Sequence, residues 1–472
     1  MASKSKRARM APVRDLSKIF FYWAMAVFII KLGIIFRMEG INVAHGDQVY
    51  FVDGAWPGAD GENYISAYKA LAKDGLFSPE TLLHYWPAGY PILLLALSIL
   101  GKSWLFTTLT ILQSIIYSAS VFYFTYQLSK TKIRNYAFLV LLFLLFNPTL
   151  SLASLCIGYE SLAASGLLLV LGLLLQDLTS NSNKVFQRNI LASSLTIGFI
   201  SFFQPRLLLS GLVGIAIWVL VRKPIKTAAL VMILSTTVVS ISPALLVLRN
   251  QKANGFTAIS TNLGTTMNLG AGDEADGSFR PKDKFGVPCS PIEGNPAQQD
   301  SHLVRCVISW YLSNPTKSME LLINKAVFFW SPWFGPEAVG SMARNPWLTV
   351  SPLVDIASNS QEGADLVYGT PGKIISWIWM IASLALLIVG FWRLWRIGGI
   401  EKLIGLVAIT HISLNWLIAM GTLGDHRQRL PILGLSIFLQ AVGIKTIFKD
   451  NSGALVEGPT LPPKVATTTI SN

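Results

Sequence analysis

The side chains best suited to catalysis lie in an acidic and aromatic segment between Asp53 and Pro91. Its carboxylates and rings are those of Asp53, Asp60, Glu62, Trp56, Tyr64, Tyr68, Tyr85, Trp86 and Tyr90. A carboxylate close to a reacting hydroxyl can take its proton as a general base. Beside a membrane, this composition indicates a site that handles a polar group at the lipid surface.

Asp60 is the candidate base of this segment. Tyr64 follows it by one helical turn, and residues 66–72 have good helix propensity. Asp60 is therefore either a general base at the mouth of a membrane cavity or the N-cap of a short helix lying on the membrane. Glu62, two residues further on, is the rival carboxylate.

A second carboxylate, Glu160, opens a long apolar run. A charged group at membrane depth is costly and usually serves a site or pairs with an opposite charge. Arg206, in Gln204-Pro205-Arg206, is the candidate partner for structural pairing. Arg206 itself either extends to the interface or points into a polar cavity.

Two more arginines, Arg427 and Arg429, lie in a short turn before Pro431. Arginine is the usual side chain for holding a phosphate. Positive charge on an outer turn runs against the positive-inside trend, so these residues indicate a specific anion. His84 begins the sequence HYWPAGYP, which predicts a rigid aromatic turn at the interface, although Trp and Tyr there also serve as plain membrane anchors.

The elements that must position these residues are those of a polytopic membrane protein. Residues AVILMFWYC make up 52% of the 472 residues and charged residues 13%, against roughly 25% in soluble domains. The net charge of +13 comes from Lys and Arg clustered in short connections between apolar runs. This pattern is typical of cytoplasmic loops, and it makes nucleic acid the weaker prediction for a partner.

Windows of ~20 apolar residues predict an all-α protein with about ten transmembrane helices. The spans are residues 18–36, 104–127, 135–153, 156–176, 189–203, 206–221, 227–247, 373–393, 402–420 and 429–447. Even-numbered spans end at basic connections, so both termini are predicted to be cytoplasmic. Residues 1–17 form a basic N-terminus on the cytoplasmic side, and the first span is a signal anchor. Residues 18–447 form one multi-span domain, and residues 448–472 form a disordered cytoplasmic tail.

Two large extracytoplasmic loops follow from this topology, residues 37–103 and 249–372. The apolar run 92–100 is too short to cross, so it is predicted to be interfacial or re-entrant. In the second loop, the Gly, Asn and Thr content predicts turns and short strands, followed by a helical stretch over 297–333 that is interrupted at Asn314-Pro315. Cys289 and Cys306 could form a disulfide there. No N-x-[ST] sequon with a middle residue other than proline occurs, which favours a bacterial plasma (inner) membrane.

Six short motifs in order resemble the GT-C superfamily of glycosyltransferases that use polyprenyl-phosphate sugars, in particular the branch with the protein O-mannosyltransferases and lipid A aminoarabinose transferases. An acidic residue with a tyrosine four later is matched by Asp60 and Tyr64, and a glutamate opening the fourth span by Glu160. The other matches are WPAGYP (86–91, where Trp86 and Ala88 depart from the family form), Gln204-Pro205-Arg206 (an inverted "RP"), Arg249-Asn250 followed by Ser260–Gly264, and RQRLP (427–431, with Gln428 replacing Tyr).

The resemblance implies inverting transfer of a sugar from a polyprenyl-phosphate donor to a lipid, glycan or protein hydroxyl outside the membrane. Asp60 would be the base, and Glu160 would support it. The implied substrate-binding residues are Tyr64, Glu62, His84, Tyr90, Arg206, Arg249, Arg427 and Arg429. Some relatives use a divalent metal ion, for which the candidate ligands here are Asp60, Glu160 and His84.

Two other functions compete with transfer. A lipid or glycan transporter or flippase would favour charged residues inside several spans and an inverted repeat. The chain has few of the first and no evident sign of the second. A noncatalytic membrane scaffold would leave the residues around Asp60 and Arg427 unexplained.

Overall fold

The computed structural model of the chain describes residues 16–45, 48–57, 60–180, 182–278, 286–330 and 370–448. The basic start of the N-terminus, the C-terminal tail and the stretch 331–369 of the second loop lie outside these ranges, as do the predictions made for them. The side chains of His426 and Arg427 also lie outside the described part.

The described chain is almost entirely helical. The helices are α1 (Ser17–Ile35), α2 (Gly61–Asp74), α3 (Leu82–Tyr85), α4 (Gly89–Ser98), α5 (Leu105–Leu128), α6 (Arg134–Phe146), α7 (Pro148–Leu152), α8 (Glu160–Ser180), α9 (Asn183–Phe203), α10 (Leu207–Arg222), α11 (Ile225–Asn254), α12 (Leu263–Leu269), α13 (Pro296–Ser313), α14 (Pro315–Trp330), α15 (Thr370–Ile397), α16 (Gly399–Gly421) and α17 (Leu430–Ile447). Two strands, β1 (Ile41–His45) and β2 (Gln48–Val52), form an antiparallel hairpin.

The predicted fold class, a helical protein of many membrane spans, is confirmed. Among the described residues, seven helices are long and apolar enough to cross a membrane, or eight if the bent pair α6 and α7 is one span. The bend is 55° and lies at Asn147-Pro148, where the Asn147 side chain caps α7 by accepting from the Leu150 N–H at 2.8 Å. Eight of the ten predicted spans correspond to these helices, with the bent pair counted as one. The predicted spans 189–203 and 206–221 fall on α9 and α10, which are outside this set because α10 is too short and α9 is less apolar.

The two shortest predicted spans form a hairpin. α9 and α10 join at Gln204-Pro205-Arg206, as the sequence predicts. α10 has 16 residues and is shorter than the other spans, while α9 begins with polar residues and basic side chains. The inner end of the hairpin is fixed because Asp177 of α8 accepts from the Trp218 ring N–H at 2.9 Å and pairs with Arg222 at 3.3 Å.

α8 forms the centre of the bundle, packed against α5, α9 and α17. Small and hydroxyl side chains such as Ser161 and Ser165 lie among its buried leucines. Small side chains let neighbouring helices approach closely. This packing matters in a membrane because the hydrophobic effect does not favour contact with another helix over contact with lipid. The first residue of this buried helix is Glu160, so the bundle itself holds that carboxylate in place.

The first outer loop folds into defined elements. The β1–β2 hairpin was not predicted, although Val43, Tyr50 and Val52 are buried and show strand alternation. α2 covers the predicted helix, and α4 covers most of the short apolar run and packs against α2 and α5. Gly89, at the start of α4, lies so close to the Phe202 carbonyl that a side chain there would collide with it.

The second of the two loops predicted to lie outside the membrane is largely helical in its described part. α13 and α14 confirm the predicted helical stretch and its interruption at Asn314-Pro315. Cys289 and Cys306 form the predicted disulfide. The prediction of short strands is wrong for the described part of this loop, because its Gly- and Asn-rich start forms α12 and turns instead.

Candidate functional site

A backbone bridge fastens the first outer loop to the segment before α8. The Trp56 N–H donates to the Leu155 carbonyl at 2.9 Å, and the Ile157 N–H donates to the Trp56 carbonyl at 2.8 Å. The two segments run parallel, with Trp56 paired with Cys156. Asp60 lies four residues beyond one bridged residue and Glu160 four residues beyond the other. The bridge therefore fixes, relative to each other, the starting points of the two segments that lead to the candidate carboxylates.

Polar side chains of α5 donate hydrogen bonds to the backbone of both bridged segments. The Gln113 amide donates to the carbonyls of Ser154 and Cys156 at 3.2 and 2.9 Å. The Thr110 hydroxyl donates to the Gly54 carbonyl at 2.8 Å. Each bond satisfies a backbone group that burial would otherwise leave without a partner, so the loop is held by a buried helix.

Asp60 occupies the N-cap position of α2 and is half-buried. Its backbone carbonyl accepts from the Tyr64 N–H at 3.1 Å, which begins the helix. Its side chain makes no capping hydrogen bond to α2. The alternative that Asp60 serves as a side-chain cap is therefore not realised. Gly61 contacts Pro57 and lies near Ile157, so the start of α2 abuts the bridged segment.

Tyr64 and Tyr90 connect the two carboxylate-bearing segments. Their ring centroids are 4.9 Å apart, and both side chains are buried. The Tyr90 hydroxyl accepts from the Gly158 N–H at 2.8 Å. Burial raises the pKa of Tyr90 well above its usual range, and the charge of Glu160 adds to the rise. Tyr90 is thus a neutral phenol close to Glu160.

Glu160 is 6% exposed and begins α8. Its carboxylate folds back over Gly158, where an added Cβ would come within 2.5 Å of Oε2. Next to it, the Tyr159 hydroxyl accepts from the Gln204 amide at 2.7 Å. Gln204 lies at the tip of the α9–α10 hairpin, so this bond joins the carboxylate-bearing segment to the segment that carries Arg206.

Arg206 in turn reaches the last outer turn. Its guanidinium donates to the side-chain oxygen of Gln428 and, at 3.1 Å, to the Gln428 carbonyl. Arg429 donates to the Trp330 carbonyl at 2.7 Å and lies over the Trp330 ring at 5.7 Å. Arg427 belongs to the same 3-10 turn by its backbone. Three arginines from two outer turns therefore belong to one connected assembly.

Arg249 and His84 join the first loop to α11 and the start of the second loop. Arg249 is buried and donates to the carbonyls of Leu76 and Leu83, each at 3.2 Å, and to that of Ser78. The His84 ring contacts the Thr261 hydroxyl at 3.1 Å. Burial lowers the pKa of His84, and the charge of Arg249 lowers it further. These contacts give both residues a structural role in holding the loops together.

The predicted metal ligands do not form a metal site within the described residues. No group of three or more His, Cys, Asp or Glu side chains in that part of the chain is placed to hold an ion. The Nδ1 atom of His84 is within hydrogen-bonding distance of the Thr261 hydroxyl. Asp60, Glu160 and His84 are therefore not assembled as a metal site in the described part of the chain. Glu62 lies half-buried on the first turn of α2.

Several contacts of this assembly were not predicted from the sequence. Trp56 pairs with a residue 100 positions away, and Gln428 holds Arg206 through its side-chain oxygen and its carbonyl. Neither the parallel bridge nor the Gln204–Tyr159 bond has a local signature. The sequence could have indicated Gly158, since a glycine two residues before a candidate carboxylate often marks close backbone approach.

No protein-family model matches the chain, and no curated protein matches its sequence. Solved structures of an oligosaccharyltransferase from Archaeoglobus fulgidus are similar to it. One shows the archaeal enzyme AglB with an inhibitory peptide and a dolichol-phosphate, at 12% identity and a TM-score of 0.42, over 91% of this chain and 50% of that chain. Another shows the enzyme tethered to an acceptor peptide with the NVT sequon, at 13% identity and a TM-score of 0.43, over 90% and 50%. The chain spans about half the length of these proteins.

Proposed function

We propose that the chain is a membrane glycosyltransferase that moves a sugar from a polyprenyl-phosphate donor to a hydroxyl acceptor on the extracytoplasmic side, with inversion. The observation that carries the proposal is the connected assembly at the outer end of the bundle. It runs from Asp60 and Glu160 through the Tyr159–Gln204 bond to Arg206, Gln428 and Arg429. Carboxylates at one side and arginines at the other suit a reaction that removes a proton and releases a phosphate.

Asp60 acts as the general base in this proposal. It accepts the proton of the acceptor hydroxyl as that oxygen attacks the anomeric carbon and the bond to the phosphate oxygen breaks. Glu160 supports the site from the buried end of α8, next to the Tyr90 phenol. Attack from the face opposite the leaving group inverts the anomeric carbon.

Arg206, Arg427 and Arg429 hold the phosphate that leaves. Arginine carries a permanent charge and can bind two phosphate oxygens at once. A preorganised cation stabilises the developing charge more strongly at a partly dry site than in water. The contacts of Arg206 with Gln428 and of Arg429 with Trp330 fix these side chains before a donor binds.

The direct test is transfer by the purified chain in sealed lipid vesicles. It is incubated with a panel of radiolabelled polyprenyl-phosphate sugars and membrane acceptors, and the anomeric configuration of the product is read by NMR. The proposal expects labelled product whose configuration is opposite to that of the donor. Retained configuration would overturn the inverting mechanism. Movement of labelled donor between leaflets with no transferred sugar would identify a flippase instead.

A further inference from the structure

A groove opens beside α1, next to the start of the first of the two loops that are predicted to be extracytoplasmic. Its volume is about 560 Å³, within the roughly 300–1,000 Å³ of ligand sites. The helix α1 supplies Ile30, Gly33 and Ile34, which lie three and four residues apart on one face. Leu152 of α7 and Trp56 of the bridged segment form the facing wall.

The groove is a fixed feature of the fold because α1 is held against the bundle by its buried face. A neighbouring face of α1, which includes Phe20, Val27 and Lys31, is buried against the bundle. Lys31 donates to the Ser154 hydroxyl at 3.0 Å and lies over the Tyr117 ring at 4.2 Å. This anchor keeps α1 against α5, so the face with Gly33 stays turned into the groove.

The open end of the groove carries one charge of each sign. Arg37 and Glu39 both line it and are exposed. Within the described residues, neither side chain has a hydrogen bond or an ion pair. Both follow directly after the outer end of α1, which is the depth at which phospholipid head groups lie. The apolar walls below suit acyl chains.

We propose that this groove binds a zwitterionic phospholipid with an amine head group. Arg37 takes the phosphate, Glu39 takes the ammonium group, and the acyl chains lie along Ile30, Ile34 and Leu152. An anionic lipid would leave Glu39 opposed to negative charge, and an uncharged lipid would use neither residue. The head group would lie beside Trp56, four residues before Asp60, so the site borders the proposed catalytic loop without depending on its activity.

Substitution of Gly33 by a large residue is expected to block the groove, because Gly33 lines it. A Cβ added at Gly33 meets no atom within 4 Å, so Gly33→Trp fills the groove without a collision at Cβ. The matched control is Ile29→Trp, one turn earlier on α1, which is 58% exposed and does not line the groove.

The experiment is native mass spectrometry of the full chain after exchange into nanodiscs with equal amounts of phosphatidylethanolamine, phosphatidylglycerol and diacylglycerol. Wild type and Ile29→Trp should retain one phosphatidylethanolamine, and Gly33→Trp should reduce its retention about tenfold or more. Arg37→Gln should lower retention of both phospholipids, whereas Glu39→Gln should shift retention from phosphatidylethanolamine to phosphatidylglycerol.

Other outcomes would overturn the proposal. Wild-type lipid retention in Gly33→Trp would show that the groove is not the site. Equal retention of diacylglycerol would leave the two charges without a role, and a wild-type preference for phosphatidylglycerol would contradict the assigned head group. Thermal unfolding of each variant shows whether it is folded. Arg37→Gln and Glu39→Gln change only exposed side chains, so they keep the test decisive if Gly33→Trp unfolds.

Discussion

At the residue scale, the proposed chemistry depends on which carboxylate takes the proton. Asp60 stands at the start of α2 without capping that helix, whereas Glu160 is buried at the start of α8 beside Tyr90. A half-buried carboxylate on a loop can meet an incoming acceptor, while a buried one is better placed to orient it. This difference gives Asp60 the role of base and Glu160 the supporting role.

Asp60→Asn should lower turnover at least about a hundredfold, since general-base catalysis contributes roughly 10²–10⁴-fold. The thermal midpoint should change little, because the Asp60 side chain makes no capping bond to lose. Asp74→Asn is the matched control, since Asp74 is exposed at the other end of α2. Wild-type turnover in Asp60→Asn, together with an inactive Glu62→Gln, would move the base by two positions. Activity in both would contradict a mechanism based on this loop.

Arg429→Ala and Arg427→Ala should weaken use of the lipid donor. Each removes a charge-assisted hydrogen bond, worth about 1.5–3 kcal/mol, from the leaving phosphate. At least one should lower kcat/KM for the donor by roughly tenfold or more. The control is Arg305→Ala, which removes an exposed arginine from α13. Donor kinetics equal to wild type in both variants would exclude these residues from the phosphate site.

At the element scale, the second loop is attached to the last outer turn by a buried lysine. Lys325 of α14 is 0% exposed, and its amine donates to the Tyr311 hydroxyl and to the Thr422 carbonyl, each at 2.6 Å. Burial lowers the pKa of Lys325 to about 7 and raises that of Tyr311 to about 12. α14 also accepts from the Trp416 ring N–H at the Ala326 carbonyl, so it is held along α16 and beside Arg429.

Because burial lowers the pKa of Lys325, we expect the free energy of unfolding to depend on pH. Between pH 7 and about 10, the unfolded chain keeps the Lys325 proton and the folded chain has lost it, so the free energy of unfolding should rise with pH. Below pH 7 both forms are protonated and the destabilisation by burial is complete. In Lys325→Met this contribution is absent, so its thermal midpoint should rise less than that of wild type between pH 7 and 9.5. Equal slopes in the two proteins would contradict the assignment.

Sequence patterns predicted the helices well and their contacts poorly. An apolar run fixes where a helix lies, and Pro205 and Pro315 mark where helices begin, because proline suits the first turn of a helix and breaks its interior. The Trp56–Cys156 bridge and the Arg206–Gln428 bonds join residues far apart in the chain, and one sequence carries no signal for them. The sequence was enough to select Asp60 and Glu160 as candidate catalytic residues. It was not enough to predict the backbone bridge that joins the segments before them.

At the scale of the whole molecule, the contacts agree with the predicted topology. Connections predicted to be cytoplasmic touch one another, as where the Lys132 N–H donates to Glu401 at 2.7 Å and Lys223 donates to Asn183 at 2.8 Å. Connections predicted to be outside do the same, as in the Arg206–Gln428 bond. The molecule thus has one end rich in basic loops and another that carries the candidate site.

Cysteine labelling in intact cells tests this orientation. Ser301→Cys on α13 should react with an impermeant maleimide, whereas Lys184→Cys at the start of α9 should react only after lysis. Both positions are exposed. The background should be low because Cys156 is buried and Cys289 and Cys306 are joined in a disulfide. Labelling of Lys184→Cys from outside would overturn the orientation and place the candidate site in the cytoplasm.

The parallel bridge has a consequence for how this chain can vary in length. Both arms, from Trp56 to Asp60 and from Cys156 to Glu160, span the same number of residues from a common pairing point. One residue inserted into either arm would advance one carboxylate by up to about 3.5 Å relative to the other. Insertions between β2 and Trp56 lie before the pairing point and leave that offset unchanged. Tolerance to insertion should therefore drop sharply at Trp56, where the shared spacing begins.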